Sequence, residues 1–189
     1  MTGRGTIDDP YIVATWDEFL DVCDNGNSTY VECARNVVWD MNEIAPNGIA
    51  SSITLSSNID GSGATILNLS SDINTPSGGV FNMQQGYLKN INVENCYLQD
   101  GTALFMQHSY TSNYDRCIIT GYLAHGSAVF RSSSSRWHNM NRSLISVDLF
   151  DDGTPSGISD KACCNFSDTV FILGGNSRPY TLIGSNLKI

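Results

Sequence analysis

Charge is scarce in this sequence, and long apolar runs and paired-cysteine motifs are missing. Asp, Glu, Lys and Arg make up 15% of the 189 residues, and 10 Lys and Arg against 19 Asp and Glu leave a formal charge of −9. That deficit of basic groups repels phosphate backbones and anionic membranes, which argues against nucleic acid and membrane surfaces as partners. No stretch approaches the roughly 18–20 apolar residues of a membrane span. Residues 1–15 lack the basic and hydrophobic regions of a secretory signal, so a soluble chain made in the cytosol is expected. Cys23, Cys33, Cys96, Cys117, Cys163 and Cys164 form no C-x-x-C pair, which predicts buried reduced thiols rather than a zinc site. Asp151 and Asp152 lack the alternating ligands of a calcium loop, so a turn is expected there. No metal or cofactor is expected.

Asn, Ser, Gly and Thr supply most of the polar residues, a composition that favours turn-rich β structure over helix bundles. One helix signal stands out. Thr15 followed by Glu18 is a capping box, in which each side chain satisfies a backbone N–H at a helix start. Trp16, Phe19, Leu20 and Cys23 then fall at i, i+3, i+4 and i+7, before Asn25-Gly26-Asn27 stops the run. A short helix with one apolar stripe reads as a lid over the open end of a β core. Pro10-Tyr11-Ile12-Val13 reads as the strand leading into it.

The remainder is a series of short strands that repeat. Phe81, Phe105 and Phe130 are separated by 24 and 25 positions, in GGVF, GTALF and GSAVF, and predict a column of stacked aromatics. Leu98, Leu123 and Phe150, each three residues before a glycine in LQDG, LAHG and FDDG, predict a second column. ILNL at 66–69 and LKNI at 88–91 match at a spacing of 22 and would place Asn68 and Asn90 in register. Three short β segments per repeat of about 22–27 residues make one coil of a parallel β-helix. Its corners call for Gly or Asn at positive φ, with Asn68 and Asn90 as candidates for an amide ladder. A β-sandwich would show hairpin turns every 8–12 residues or so, but gives no reason for like residues at 25.

The fold class expected is therefore all-β, a short single-stranded right-handed parallel β-helix with an N-terminal capping α-helix. We expect one domain over residues 1–189: strand and capping helix at 11–25, five or six coils at 30–171, and an extended tail at 172–189. Residues 150–161 read as a long loop, and the tail is expected to pair with the final coil or to reach a neighbouring subunit. Cys96 and Cys117, 21 apart, are expected in adjacent coils, whereas consecutive Cys163 and Cys164 point to opposite faces, so at most one can lie in the core.

The segments GTIDDPYIVATWDEFLDV, YVECARNVVWD, NIDGSGATILNL and GGVFNMQQGYLKNINVENC occur in this order over residues 3–130. In this order they resemble the repeat unit of bacterial and phage β-helix proteins of the GLUG-motif group, pectin-lyase-like in fold. Ile59 stands where that group usually has Phe and Ser62 where it often has Asn. The resemblance implies a rigid rod or platform, often trimeric, found in surface proteins of gut bacteria and in structural components of their phages. It implies other virion proteins, a second copy of the chain, or a host-surface glycan as partners. The expectation is a phage structural protein, a head decoration, head fibre or appendage module located in the virion after synthesis in the host cytoplasm. The alternatives are a carbohydrate-binding adhesin module on a bacterial surface and a polysaccharide lyase or hydrolase.

Cleavage of a polysaccharide needs two carboxylates or a base with charge neutralisation. Asp100, His125 and Asp152 occupy equivalent repeat positions before a corner glycine; ordinary turn chemistry is the simpler explanation for them, and no catalytic residue is assigned. Arg131, Arg136, Trp137 and His138 form the local cluster with sugar-binding character, an aromatic platform beside guanidinium groups. They are the candidate carbohydrate or partner contact, with core or interface packing as the competing explanation for Trp137.

Overall fold

A computed structural model describes residues 1–71, 78–99, 101–107, 110–124, 126–132, 137–149, 157–160, 162–174 and 187–188. The first element, β1 (Tyr11–Val13), runs into helix α1 (Trp16–Val22), whose capping box is closed in both directions: Glu18 N–H donates to Thr15 Oγ1 and the Glu18 carboxylate accepts at the cap. The terminal amine of Met1 also pairs with Glu18. Trp16, Phe19, Val22 and Cys23 are buried, whereas Leu20 is 39% exposed. The buried stripe is thus rotated from the one expected, with Val22 in place of Leu20, because the C-terminal end of the helix rests against Thr54, Ser56 and Ser57 while its first turn packs on Trp39. Trp16, Phe19 and Trp39 lie within 5.2–5.4 Å of one another, and the Trp39 indole N–H donates to the Ala14 carbonyl. This aromatic cluster closes the N-terminal end.

The chain then winds through β2 (Tyr30–Cys33), β3 (Val38–Asp40), the one-turn helix α2 (Met41–Ile44), β4 (Ile53–Leu55), β5 (Asn58–Leu67), β6 (Gly79–Met83) and β7 (Tyr87–Leu98). It continues with β8 (Ala103–Gln107), β9 (Ser112–Asp115), β10 (Ile118–Leu123), β11 (Ala128–Ser132), β12 (Trp137–Asn141), β13 (Leu144–Leu149), β14 (Gly157–Asp160), β15 (Cys163–Ser167), β16 (Val170–Gly174) and β17 (Leu187–Lys188). Helix α2, capped by Asp40, was not anticipated; nor was β14, which occupies residues expected to be loop. All pairings between these strands are parallel and join residues one coil apart, giving a β-solenoid of about five turns. One face stacks β1, β2, β5, β7, β9, β12, β15 and β17 in that order. A second stacks β3, β5, β7, β10, β13 and β16, with the long strands β5 and β7 passing through the corner between the two. A third stacks β4, β6, β8, β11 and β14. The tail residues Leu187 and Lys188 pair with Cys164 and Asn165, extending the first face.

The corner between the first and second faces carries a left-handed residue in every coil. Asn36, Ser62, Asn90, Arg116, Arg142 and Asp168 have φ of 55°, 48°, 52°, 53°, 47° and 49°. A non-glycine residue pays roughly 1–2 kcal/mol for this conformation, and the surrounding bonds offset it. The N–H groups of Arg116 and Arg142 donate to the carbonyls of Asn141 and Ser167 in the next coil. The residue after each of the last three corners donates back across it: Cys117 Sγ to the Asp115 carbonyl at 3.5 Å, Ser143 Oγ to Asn141 at 2.7 Å, Thr169 Oγ1 to Ser167 at 3.0 Å. Three residue types fill one local role, in which a small polar side chain consumes a carbonyl that the turn leaves unpaired.

The phenylalanine column is present. Phe81 pairs with Phe105 and Phe105 with Phe130, with stacked rings 5.7 and 5.8 Å apart. The second column runs Leu98, Leu123, Leu149. Leu149 takes the place expected for Phe150, which lies outside the described residues, because the strand register rather than the distance to the next glycine sets the interior position. Asn68 and Asn90 both sit at left-handed corners, but at different ones. Asn95 donates to Asn68 at 2.6 Å and Asn68 to Asp40 at 2.9 Å, while Asn90 donates to Asp60 at 2.8 Å. The amide ladder therefore steps by 27 residues, and the match at 22 joins two different corners of the coil. At the position after Asn95 the ladder gives way to Gly121, where a Cβ would lie 2.1 Å from the Cys96 carbonyl oxygen.

All six cysteines are free and buried. Cys96 and Cys117 lie in adjacent coils, although Cys96 is in register with Gly121. Cys164 belongs to the core, and Cys163, in register with Trp137, is covered outside it. Burial pushes the thiols of Cys23, Cys33, Cys96, Cys117 and Cys164 up to about 12, which makes them poor nucleophiles and ligands.

Because Phe105 is 1% exposed and contacts Phe81, Phe130 and Tyr114, Phe105→Ala should destabilise the fold by about 3–5 kcal/mol. Phe105→Leu should cost clearly less. Urea unfolding followed by circular dichroism measures both, and equal losses for the two substitutions would speak against a stacked column.

Candidate functional site

The residues singled out from the sequence separate in the structure. His138 is fully buried, inside the solenoid. Its Nε2 lies 3.1 Å from the Arg131 carbonyl, which can only accept, so that nitrogen carries the proton. Nδ1 then accepts from the Tyr114 hydroxyl at 3.0 Å. The ring stacks on Tyr114 and packs against Phe130. Desolvation pushes His138 down to about 4 and Tyr114 well above its ordinary value. Arg131 is also buried, and its guanidinium donates to the carbonyls of Gly101 and Gly126. Trp137 is half-buried on β12. Arg136 lies outside the described residues, as do Asp100, His125, Asp151 and Asp152. His138 and Arg131 therefore serve the interior and the turns, and present no sugar-binding platform.

The outer surface of the second face has a different character. Its outward positions alternate with the buried Trp39, Ile66, Val93, Ile119 and Ile145, and fall into files in strict register. Val38, Thr65, Asn92, Ile118, Leu144 and Val170 form one file across six coils. Thr120, Ser146 and Ile172 form a second. The third is Ser70, Tyr97, Tyr122, Asp148 and Gly174. Tyr97 is 46% exposed and its ring lies 5.5 Å from that of Tyr122 with a 7° tilt, an aromatic ladder on the outside of the solenoid. Below it, Asn95, Thr120, Gly121, Tyr122, Ser146 and Asp148 border an open groove of about 350 Å³. The signal was available: Tyr97 and Tyr122 are 25 apart, the spacing of the interior phenylalanines.

The opposite edge of this face is the left-handed corner, which holds a larger groove of about 540 Å³. Arg35 and Asn36 border it in one coil, Ser62 and Gly63 in the next, Asn90 and Asn92 in the third, Arg116 in the fourth. Glu32 lies beside Arg35 and accepts from Ser62 Oγ at 3.1 Å. Asp115 anchors the far end: Arg142 donates to both of its carboxylate oxygens at 2.9 and 2.6 Å, and Arg116 approaches at 3.2 Å. Nearby, burial acts to raise the Asp60 carboxyl, but hydrogen bonds from Asn90, Lys89 and the Ser62 N–H outweigh it and hold it below the usual carboxylate range. Asp60 in turn raises Lys89, 2.9 Å away. The arrangement offers guanidinium groups, amides and hydroxyls on rigid backbone, a set suited to recognition of a polar ligand. Among the described residues, no group of three or more His, Cys, Asp or Glu side chains is placed to hold a metal ion.

No protein-family model, no curated protein and no solved structure matches this chain.

The buried histidine generates a pH prediction. A His near 6.5 when unfolded and near 4 when folded binds its proton first in the unfolded state. Its contribution to stability is therefore complete above about pH 6.5 and falls as pH drops toward 4, by up to about 3 kcal/mol. In an NMR titration His138 should stay neutral to about pH 4, with the Nε2 proton retained. Titration near 6.5 would show that the ring is hydrated.

Proposed function

We propose that this chain is a rigid module of a larger assembly, a phage virion component of the head-decoration, head-fibre or appendage kind, acting as an assembly or attachment platform rather than as an enzyme. The observation that carries the assembly reading is the asymmetry of the two ends. Helix α1 covers the first coil, whereas among the described residues β16 pairs with β13 alone, and Val170, Ile172 and Leu173 are 57%, 54% and 39% exposed. In the coil before, Ser146 and Val147 stand in the same files as Ile172 and Leu173, and Val147 is 2% exposed. An apolar strand with one edge unpaired among the described residues is a surface that repeat proteins cover with a cap or a neighbour. A second copy of the chain is the occupant proposed here, with three-fold symmetry following the resemblance to trimeric β-helix proteins.

A second reading, attachment to a host-surface glycan, is favoured by the outer files of Asn, Thr, Ser and Tyr with a groove at each edge. The two readings are compatible, since an oligomer would present several such faces in parallel. A lyase or hydrolase would be distinguished by release of reducing or unsaturated ends from a polysaccharide.

Light scattering on the purified chain at ~50 μM should give a mass well above the 20.6 kDa of a single chain, a trimer being the state proposed. Val170→Asp combined with Ile172→Asp should reduce it to monomer without changing the far-ultraviolet circular dichroism, because both side chains are exposed in the single chain. A monomeric wild-type protein would overturn the assembly reading.

A further inference from the structure

Along the third outer file the two stacked tyrosines give way to a notch. Tyr97 covers one face of the Tyr122 ring, and the smaller groove lies on the other side of that ring, toward Ser146, Asp148 and Gly174. Asp148 is the next residue in the file and Gly174 the one after it, each coil about 4.7–4.9 Å further along the axis. Asp148 is exposed, and among the described residues no hydrogen bond or ion pair engages it. Its carboxylate leans over Gly174, where a Cβ would collide with Oδ1. Gly174 is not in the left-handed region, so the close approach of the carboxylate, not the backbone, calls for glycine there. The notch therefore has an aromatic wall, a carboxylate beside it, and Thr120 and Ser146 along one side. Among the described residues that border it, Asp148 is the one with a charge.

We propose that this notch receives an arginine side chain of a basic partner protein, its guanidinium flat against Tyr122 and its N–H groups on the Asp148 carboxylate. A guanidinium is planar, weakly hydrated and forked, so one group can stack on a ring and donate two bonds to a neighbouring carboxylate. A lysine ammonium is a compact, strongly hydrated charge that meets the carboxylate without stacking. A neutral sugar would use the ring and leave the carboxylate unmatched. A divalent metal ion calls for several oxygen ligands, which one carboxylate does not supply. The formal charge of −9 favours the approach of a basic partner. A second copy of this chain is a poorer donor, because its arginines are largely engaged: Arg4 with Asp9, Arg116 and Arg142 with Asp115, and buried Arg131 with the carbonyls of Gly101 and Gly126.

This inference rests on the platform reading and names the chemistry of one partner. Light scattering reads self-association and the test below reads the notch, so either can fail without the other. The test is a two-dimensional NMR titration of the full chain with N-acetyl-arginine amide, whose guanidinium is its sole charge. The Gly174 amide and the Tyr122 ring should shift together and saturate, with half-saturation at ~50 mM or below. N-acetyl-lysine amide should bind about threefold more weakly, or worse. Asp148→Asn should lower the affinity for the arginine probe about fivefold, with the thermal unfolding midpoint unchanged. Gly174→Ala, which displaces the carboxylate, should also weaken it. Asp9→Asn, which removes an exposed carboxylate elsewhere on the chain, should leave it unaltered. Shifts that do not saturate by ~200 mM, equal affinity for the two probes, or an unchanged response in Asp148→Asn would overturn the proposal. Conversion of an oligomeric wild type to monomer by Asp148→Asn would overturn it too, by making a second copy the occupant.

Discussion

The structure depends on one recurring constraint, a backbone corner that must turn left-handed in every coil. From Asn90 onward the corner residues recur every 26 positions, at Arg116, Arg142 and Asp168. The three residues on either side recur with them. Leu88, Tyr114, Met140 and Phe166 stack before the corner, and Val93, Ile119, Ile145 and Phe171 stack after it. A shift of one residue would send each of these columns to the solvent side, since strand positions alternate between faces. The corner therefore sets the register, and the register decides which side chains make the core.

A register fixed in this way organises the outside as well. Asn113, Asn139 and Asn165 hydrogen-bond in sequence along the first face at 3.0 and 2.9 Å, and Tyr97 stacks on Tyr122 along the second. These exterior files cost nothing in core packing, and their spacing is that of the coils. A ligand with its own repeat can meet them residue by residue without induced fit. The same stacking explains why the last coil matters. A solenoid has no intrinsic end, so each coil exposes what the next would cover, and β16 is where the described coils stop.

Much of this was legible in the sequence. The capping box at Thr15 and Glu18 and the column of Phe81, Phe105 and Phe130 are both present, because local hydrogen bonding and like-on-like stacking leave direct marks on residue type. Left-handed backbone at Asn68 and Asn90 was legible for the same reason. The corner file was not, because Ser62, Arg116 and Arg142 are not residues that announce positive φ. At Arg116 and Arg142 the conformation is held by bonds to the next coil. Without that file, the match between ILNL and LKNI aligned two different corners, and glycine spacing led to Phe150 in place of Leu149. The candidate cluster of Arg131, Trp137 and His138 does not stay together, because alternate residues on a strand point opposite ways: His138 is buried inside, Trp137 is half-buried on the other side of its strand, and Arg131 is held by turn carbonyls. Arg35 and Arg116 are 81 positions apart in sequence, so only the winding of the coils brings them to one groove.

The central claim is the 26-residue parallel register, and it is most directly tested by nuclear Overhauser contacts between backbone protons in the isotopically labelled protein. The account predicts contacts linking Asn113 to Asn139 and Asn139 to Asn165 in the pattern of parallel strands. Antiparallel contacts between strands adjacent in sequence, such as β9 with β10 or β12 with β13, would contradict it.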